Sequence, residues 1–289
     1  MTSTQILETP AASLAYDVHG PLPTADGRPP LLLIGHPMDA GGFATLAELL
    51  PDRTVVTYDP RGLGRSSRHD GRSERTPEDN ADDVHRIIAE IGGPVDLFAS
   101  SGGAVNALAL VARHPQQVRT LVAHEPPALT TLPDREQALA AVLDIRRTYE
   151  ESGAGPGMVK FITAVGLKGE VPANFADLPM PDPAEFGMSA DDDGSRDDAL
   201  LGQNLLSCTH YEPDFEALRA ASARVVLAAG EESEGQLAAR AAHAVAKRLG
   251  TTPVLFPSGH GGFLGGEYGQ AGKPEAFAVR LREVLSGQA

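Results

Sequence analysis

One serine of the sequence has the surroundings that a nucleophile requires. An apolar, strand-like run leads through the segment ASSGG (99–103) directly into a helical pattern. A nucleophile on such a sharp strand–turn–helix bend needs small residues two positions before and after it, because larger side chains would collide with neighbouring backbone. Ser101 meets this condition, whereas Ser100 has the bulky Phe98 two positions before it. The pattern therefore predicts Ser101 as a nucleophile.

This bend belongs to a chain in which short apolar runs alternate with helical patterns. Apolar runs bounded by turn residues are typical of buried strands. They cover Leu31 to Ile34, Thr54 to Tyr58, Val95 to Phe98, Val118 to Ala123, Val225 to Ala229 and Pro253 to Phe256. The helical patterns cover Pro77 to Ile91, Ala104 to Arg113, Gly235 to Leu249 and Pro274 to Leu285. The alternation indicates an α/β protein with a doubly wound, mostly parallel sheet.

The alternation stops between the fourth and fifth strand-like runs. Roughly 90 residues intervene there, far more than an ordinary crossover needs. Apolar residues recur at helical spacing within them, at Ala138, Val142, Ile145 and Tyr149 and again at Leu201, Leu205 and Cys208. We therefore predict a helical cap over 127–219 and a core of 1–126 and 220–289. Val142, Phe161 and Leu205 are candidate substrate contacts, and the alternative role for them is packing of the cap.

A segment after the second predicted strand makes the wider resemblance visible. The sequence YDPRGLGRSS (58–67), together with the serine bend, resembles the α/β-hydrolase superfamily, and the match extends over nearly the whole chain. The resemblance implies an eight-stranded sheet flanked by helices, with a cap inserted after the sixth strand. It also implies structural roles for Asp59, Arg61 and Gly64.

The turn after the first predicted strand is similar to the one at which hydrolases place an oxyanion hole. It contains His36, Pro37, Met38 and Asp39. Because Pro37 has no amide hydrogen, the expected donors are the backbone amides of Met38 and Gly102. We expect His36 to organise the loop, and Asp39 either contacts the substrate or caps a turn. Both stay on the list of candidate substrate contacts.

The family places the histidine that takes the proton from the serine in the loop after the last strand. In the segment LFPSGHGGFL (255–264) that histidine is His260. Of the other histidines, His243 lies in an alanine-rich helical pattern, and His69, His85 and His114 lie on predicted surface elements. The resemblance therefore assigns His260 as the base.

The acid that orients the base departs from the commonest family pattern. That pattern has an aspartate shortly after the seventh strand, where this chain has Ser233. The other place used in the family is the end of the sixth strand, and there Glu125 closes an apolar run. An acid at this place is costly to bury unless it is paired, which favours Glu125 as the partner of His260. Two alternatives stay open: a structural role for Glu125, and an acid from Glu231, Glu232 or Glu234.

A glutamate at this place resembles the arrangement in haloalkane dehalogenases and in fungal zearalenone lactonases. The dehalogenases use an aspartate nucleophile and usually bind halide with tryptophan, whereas this chain has Ser101 and no tryptophan. The lactonases use serine, histidine and glutamate in similar places. The resemblance thus implies hydrolysis of a carboxylic ester or lactone through an acyl-enzyme, with Ser101, His260 and Glu125. The alternatives are a lyase, a cofactor-free oxygenase or a small-molecule-binding protein of the same fold.

The composition of the chain limits the classes of molecule that we expect it to bind. The sequence has 24 basic and 39 acidic residues, giving a net charge of -15, which disfavours binding to nucleic acid or anionic membranes. It contains no HExxH, CxxC or GxxxxGKS motif, so we expect no metal and no cofactor. The acidic run DDDGSRDD (191–198) is predicted to be a solvated loop. The single Cys208 is assigned to packing.

The N-terminal segment has neither a basic region nor a long apolar stretch, and no run approaches the roughly 18 apolar residues that a membrane span needs. We therefore expect a cytoplasmic protein. Its expected partner is a small, neutral and partly apolar ester or lactone.

Overall fold

The central sheet of the computed structural model, which describes residues 2–72 and 74–288, follows the apolar runs of the sequence. The strands found there are β1 (Thr2–Glu8), β2 (Ala12–His19), β3 (Leu31–Ile34), β4 (Val55–Tyr58), β5 (Ser67–Arg68), β6 (Val95–Ser100), β7 (Val118–His124), β8 (Arg224–Gly230) and β9 (Val254–Phe256). All six predicted strands are present, with ends that differ by at most two residues. The N-terminal hairpin of β1 and β2 adds two strands that the patterns do not indicate.

The strand order is β1-β2-β4-β3-β6-β7-β8-β9, with β5 paired to β2. Eight strands form the continuous sheet, as the resemblance implies, and β5 is a short addition. The pairs from β4 through β3 to β9 are parallel, whereas β1 and β2 are antiparallel to their neighbours. The strands at the centre are apolar on both faces because helices cover both faces of the sheet.

The helices are α1 (Ala44–Glu48), α2 (Pro77–Glu90), α3 (Gly102–Arg113), α4 (Arg135–Ser152), α5 (Ala154–Gly166), α6 (Leu205–Thr209), α7 (Phe215–Ala220), α8 (Leu237–Leu249) and α9 (Pro274–Ser286). The four predicted helices correspond to α2, α3, α8 and α9. At the start of α2, Thr76 and Asp79 form a capping box that satisfies backbone amides of the first turn.

Two apolar cores cover the two faces of the sheet. Helices α2, α3, α7 and α8 contribute to the first core, with buried side chains such as Ile87, Leu108 and Val245. Helices α1 and α9 pack on the other face, where Leu46 and Phe277 are buried. The α/β-hydrolase architecture predicted from the sequence is therefore confirmed.

The segment between β7 and β8 forms a third apolar core above the sheet. Ile145 and Tyr149 of α4 pack there with Ala164 of α5, Leu205 of α6 and Ala241 of α8. Helix α7 belongs instead to the first core. The cap boundaries of 127 and 219 stay a prediction.

The acidic segment 191–198 is largely exposed, and Arg196 pairs with Asp192 inside it. No helix within the described ranges is both long and apolar enough to cross a membrane.

Candidate active site

Ser101 lies on a tight turn between β6 and α3. Its backbone has a φ of 56°, in the left-handed region, and its amide donates to the carbonyl oxygen of His124 at 2.9 Å. Two residues later, a Cβ atom at Gly103 would lie 2.8 Å from both the Ile34 oxygen and the Gly35 Cα. The small residue that the sequence argument requires is thus explained by the close approach of α3 to the end of β3.

Glu125 follows β7 directly and is 1% exposed. Its amide donates to the Ala228 carbonyl at 2.9 Å, and its Oε1 atom accepts from the Gly230 amide at 2.8 Å. Its Oε2 atom lies 2.6 Å from Nδ1 of His260. Burial alone raises the pKa of Glu125, but the hydrogen bond and charge of His260, with smaller contributions from His124 and Gly230, lower it to about 2. Glu125 is therefore an ionised acceptor at neutral pH.

His260 lies in the loop after β9, with 44% of its side chain exposed. Because Nδ1 faces Glu125, Nε2 is the nitrogen left for a reaction partner. His260 and Ser101 line the same cavity. The hydrogen bonds found within the described ranges do not include one between these two side chains, and such bonds often tighten only when substrate is bound.

The other predicted acids lie elsewhere. Glu231, Glu232 and Glu234 are exposed, and Glu232 pairs with Lys273 at 2.6 Å. Ser233, at the place of the more usual aspartate, is completely buried. Its hydroxyl has no hydrogen-bond partner among the described residues. None of the four lines the cavity that contains Ser101.

His36 and Asp39, the two predicted contacts in the turn after β3, have different surroundings. His36 is 2% exposed and lines the cavity. Burial and the charge of Arg75 lower the pKa of His36 to about 3, so that its ring is neutral. Asp39 lies outside the cavity lining and caps the short helix Ala40–Phe43, accepting from the Gly41 amide at 2.9 Å and from the Tyr268 hydroxyl at 2.8 Å. Of the two roles that the sequence leaves open for Asp39, these contacts correspond to the capping of a turn.

The two predicted oxyanion donors also differ in their surroundings. Gly102 lines the cavity, and its Cα faces the carbonyl oxygen of His36, which would lie 2.6 Å from a Cβ atom at this position. Met38 packs its side chain against the second core and against Gly42 and is not among the cavity-lining residues. Its role as a donor concerns only its backbone amide.

The segment after β4 holds this turn in place. Asp59 accepts from the amides of Ala40 and Arg65, at 2.9 and 2.8 Å. Arg61 forms a buried ion pair with Asp83 at 2.6 Å. Gly64 has a φ of 50°, and a Cβ atom there would lie 2.6 Å from the Asp59 carboxylate. These contacts are structural, as the resemblance implies.

The cavity has a volume of about 470 Å³ and lies between the sheet and the cap. Its apolar wall comes mainly from cap residues: Leu129, Val142, Ile145, Phe161, Ile162, Leu200 and Leu205. The predicted contacts Val142, Phe161 and Leu205 are thus brought together with Ser101, Gly102, Glu125 and His260. The lining identified among the described residues includes no lysine or arginine.

Three cavity-lining amide side chains, Asn204, Gln236 and Gln270, are missing from the sequence prediction. Asn204 lies just before the short helix α6, where the sequence offers no motif to identify it. Only the folding of the cap over Gly102 brings it to the site.

Comparisons with known proteins agree with this architecture. Residues 29–160 match the model of the α/β hydrolase fold family. An uncharacterized hydrolase, YraK, of Bacillus subtilis (strain 168) is 31% identical over 265 residues, which cover 89% of each chain.

Two solved structures are similar in fold. A thermophilic esterase from Thermogutta terrifontis has 20% identity and a TM-score of 0.65, covering 99% of this chain and 98% of its own. An α/β hydrolase from Sphaerobacter thermophilus has 21% identity and a TM-score of 0.59, covering 97% of this chain and 100% of its own. From the family model, the relative that matches along most of its length and the sheet topology, the chain belongs to the α/β-hydrolase family.

Proposed function

We propose that this protein is a serine hydrolase that cleaves a carboxylic ester or lactone through an acyl-enzyme. The observation that carries the proposal is the 2.6 Å contact between His260 Nδ1 and the buried Glu125 carboxylate, beside a serine on a strained turn. A carboxylate at Nδ1 fixes the tautomer in which Nε2 accepts a proton, and it stabilises the imidazolium that follows. A serine hydroxyl is a weak nucleophile until such a base takes its proton.

In the proposed cycle, Ser101 Oγ attacks the carbonyl carbon while His260 Nε2 takes its proton. The electron pair of the carbonyl bond moves to oxygen, where the backbone amides of Gly102 and Met38 donate hydrogen bonds. The intermediate collapses, and His260 gives its proton to the departing alkoxide. Water, deprotonated by the same histidine, then attacks the acyl carbon. As the bond from that carbon to Ser101 Oγ breaks, His260 returns the proton to Oγ and the acid is released.

The position of the acid supports a relationship to the zearalenone-lactonase-like members. Glu125 follows β7, which is the sixth strand of the chain when the two-residue β5 is left out. The exposure of Glu231, Glu232 and Glu234 argues against an acid after β8.

The cavity supports a neutral, partly apolar substrate. Its cap wall is mainly aliphatic, and the lining within the described ranges offers no lysine or arginine to pair with a substrate carboxylate. A substrate with a free acid group would therefore lose its hydration without gaining an ion pair.

The experiment is active-site labelling with a fluorophosphonate, followed by intact-mass analysis. Wild type and Ser100→Ala should each gain one adduct, Ser101→Ala should gain none, and Glu125→Gln should react much more slowly. Ser100→Ala is the matched control because its serine is next to Ser101 at the end of β6. Hydrolysis of p-nitrophenyl butyrate by the same four proteins shows whether labelling and turnover depend on the same groups.

An adduct that persists in Ser101→Ala would overturn the assignment of the nucleophile. A folded wild-type protein that neither reacts with the probe nor hydrolyses esters would overturn the hydrolase proposal and favour the lyase, oxygenase or ligand-binding alternatives.

A further inference from the structure

The cavity lining includes the side chain of Asn204, an amide that the proposed cycle leaves without a role. Asn204 is 4% exposed and lines the cavity. Its backbone amide donates to Leu200, but its side-chain carboxamide makes no hydrogen bond to any residue in the described ranges. Because Asn204 lines the cavity, its unpartnered carboxamide is available to pair with a ligand bound there.

The carboxamide lies over the glycine that follows the nucleophile. A Cβ atom at Gly102 would lie 3.1 Å from Asn204 Nδ2 and 3.4 Å from Cys208 Sγ. The space that a side chain at position 102 would fill is therefore occupied from the cap. Burial raises the pKa of the Cys208 thiol to about 12, so this neighbour stays uncharged at neutral pH.

Two hydrogen bonds to Arg75 hold the chain on either side of Asn204. The Arg75 amide donates to the Gln203 carbonyl at 3.0 Å, and the Ser207 hydroxyl donates to the Arg75 carbonyl at 2.5 Å. These partners flank Asn204 on both sides along the chain. The backbone that carries Asn204 is therefore held in place over Gly102, which favours a preorganised position of the carboxamide.

We propose that Asn204 is a third oxyanion donor: its Nδ2 amide donates to the substrate carbonyl oxygen together with the backbone amides of Gly102 and Met38. The inference rests on the proposed function and adds a catalytic residue from the cap. The carboxamide transfers no proton. It stabilises the negative charge that reaches the carbonyl oxygen as the bond from Ser101 Oγ to carbon forms.

The test measures kcat and KM for p-nitrophenyl butyrate with Asn204→Ala and Asn204→Asp. Loss of one oxyanion donor should lower kcat about a hundredfold while KM stays nearly unchanged. Aspartate has the shape of asparagine but no N–H, and its charge repels the oxyanion. Asn204→Asp should therefore lose at least as much activity, whereas a space-filling role would let it keep the wild-type rate.

The matched control is Asn174→Ala, which removes an exposed carboxamide from the same cap, away from the cavity. It should keep the wild-type kcat. Thermal unfolding of all variants, followed by circular dichroism, separates loss of a donor from loss of fold. The rate of phosphonylation by the fluorophosphonate gives a second reading of oxyanion stabilisation, and it should fall in parallel with kcat.

Three results would overturn this role while leaving the hydrolase proposal intact: an unchanged kcat in Asn204→Ala, a rise in KM alone, or a wild-type rate in Asn204→Asp. If the wild type hydrolyses no ester and does not react with the probe, both proposals fail together. The activity of the wild-type protein therefore distinguishes failure of the role of Asn204 from failure of the hydrolase proposal.

Discussion

His260 Nδ1 lies 2.6 Å from Glu125 Oε2, although 135 positions separate the two residues in the sequence. The carboxylate is almost completely buried, while the imidazole side chain is 44% exposed. One partner is thus fixed by the sheet and the other is open to the cavity. This asymmetry makes the acid a positioning group and leaves the base accessible to substrate.

The first prediction concerns the identity of the acid. Glu125→Gln keeps the size of the side chain but removes the charge that orients the base, and kcat should fall by about three to four orders of magnitude. Glu232→Gln, an exposed glutamate after β8, should leave kcat close to wild type. Steady-state ester hydrolysis measures both. A strong loss in Glu232→Gln with little change in Glu125→Gln would move the acid to the β8 loop.

The second prediction is a dependence of stability on pH. Folding lowers the pKa of Glu125 from 4.5 to about 2. The stability gained from the ionised carboxylate is therefore complete above pH 4.5 and is lost as the pH falls towards 2. The ionised carboxylate thus adds on the order of 3 kcal/mol to the free energy of unfolding at neutral pH.

Urea unfolding of wild type and Glu125→Gln between pH 7 and pH 2.5 measures it. The wild type should lose more stability than the variant over this interval. Parallel curves for the two proteins would show that the Glu125 pKa is not lowered by folding.

The third prediction tests the tight turn at the nucleophile. Gly103→Ala would bring a Cβ atom within 2.8 Å of backbone at Ile34 and Gly35, which cannot move without disturbing β3. We expect destabilisation by about 1–3 kcal/mol and a loss of ester hydrolysis. Gly166→Ala is the control for stability, because a Cβ atom there meets nothing within 4 Å. Equal unfolding midpoints for the two variants would contradict the close approach.

The fourth prediction concerns the size of the substrate. Val142 of α4 is 3% exposed and lines the cavity, whereas the next residue, Leu143, is 53% exposed. Val142→Phe fills cavity space, so it should lower kcat/KM for p-nitrophenyl octanoate more than for the acetate. Leu143→Phe should leave the ratio of the two unchanged. A ratio that shifts equally in both variants would mean that the cavity wall does not select the acyl chain.

The strands around the site could be predicted because each is a short apolar run covered by helices on both sides. The hairpin could not, since β1 is exposed along most of its length and carries no alternating pattern. Ser101 could be predicted from the local sequence, because its turn requires small residues on either side. Asn204 reaches the site only through the tertiary contact of the cap with Gly102. The choice between the two roles of Asp39 could not be made from the sequence, because its partner Tyr268 lies 229 positions away.

The register of β6 and β7 has a consequence for how this enzyme could diversify. Ser100 and His124 are paired neighbours in the sheet, so Ser101 and Glu125 leave it side by side. Their separation is therefore set by the spacing of adjacent strands, about 4.8 Å between backbones, and not by the length of any loop. The long excursion between β7 and β8 begins only after Glu125. That excursion can be lengthened, shortened or exchanged for another without moving the acid away from the nucleophile.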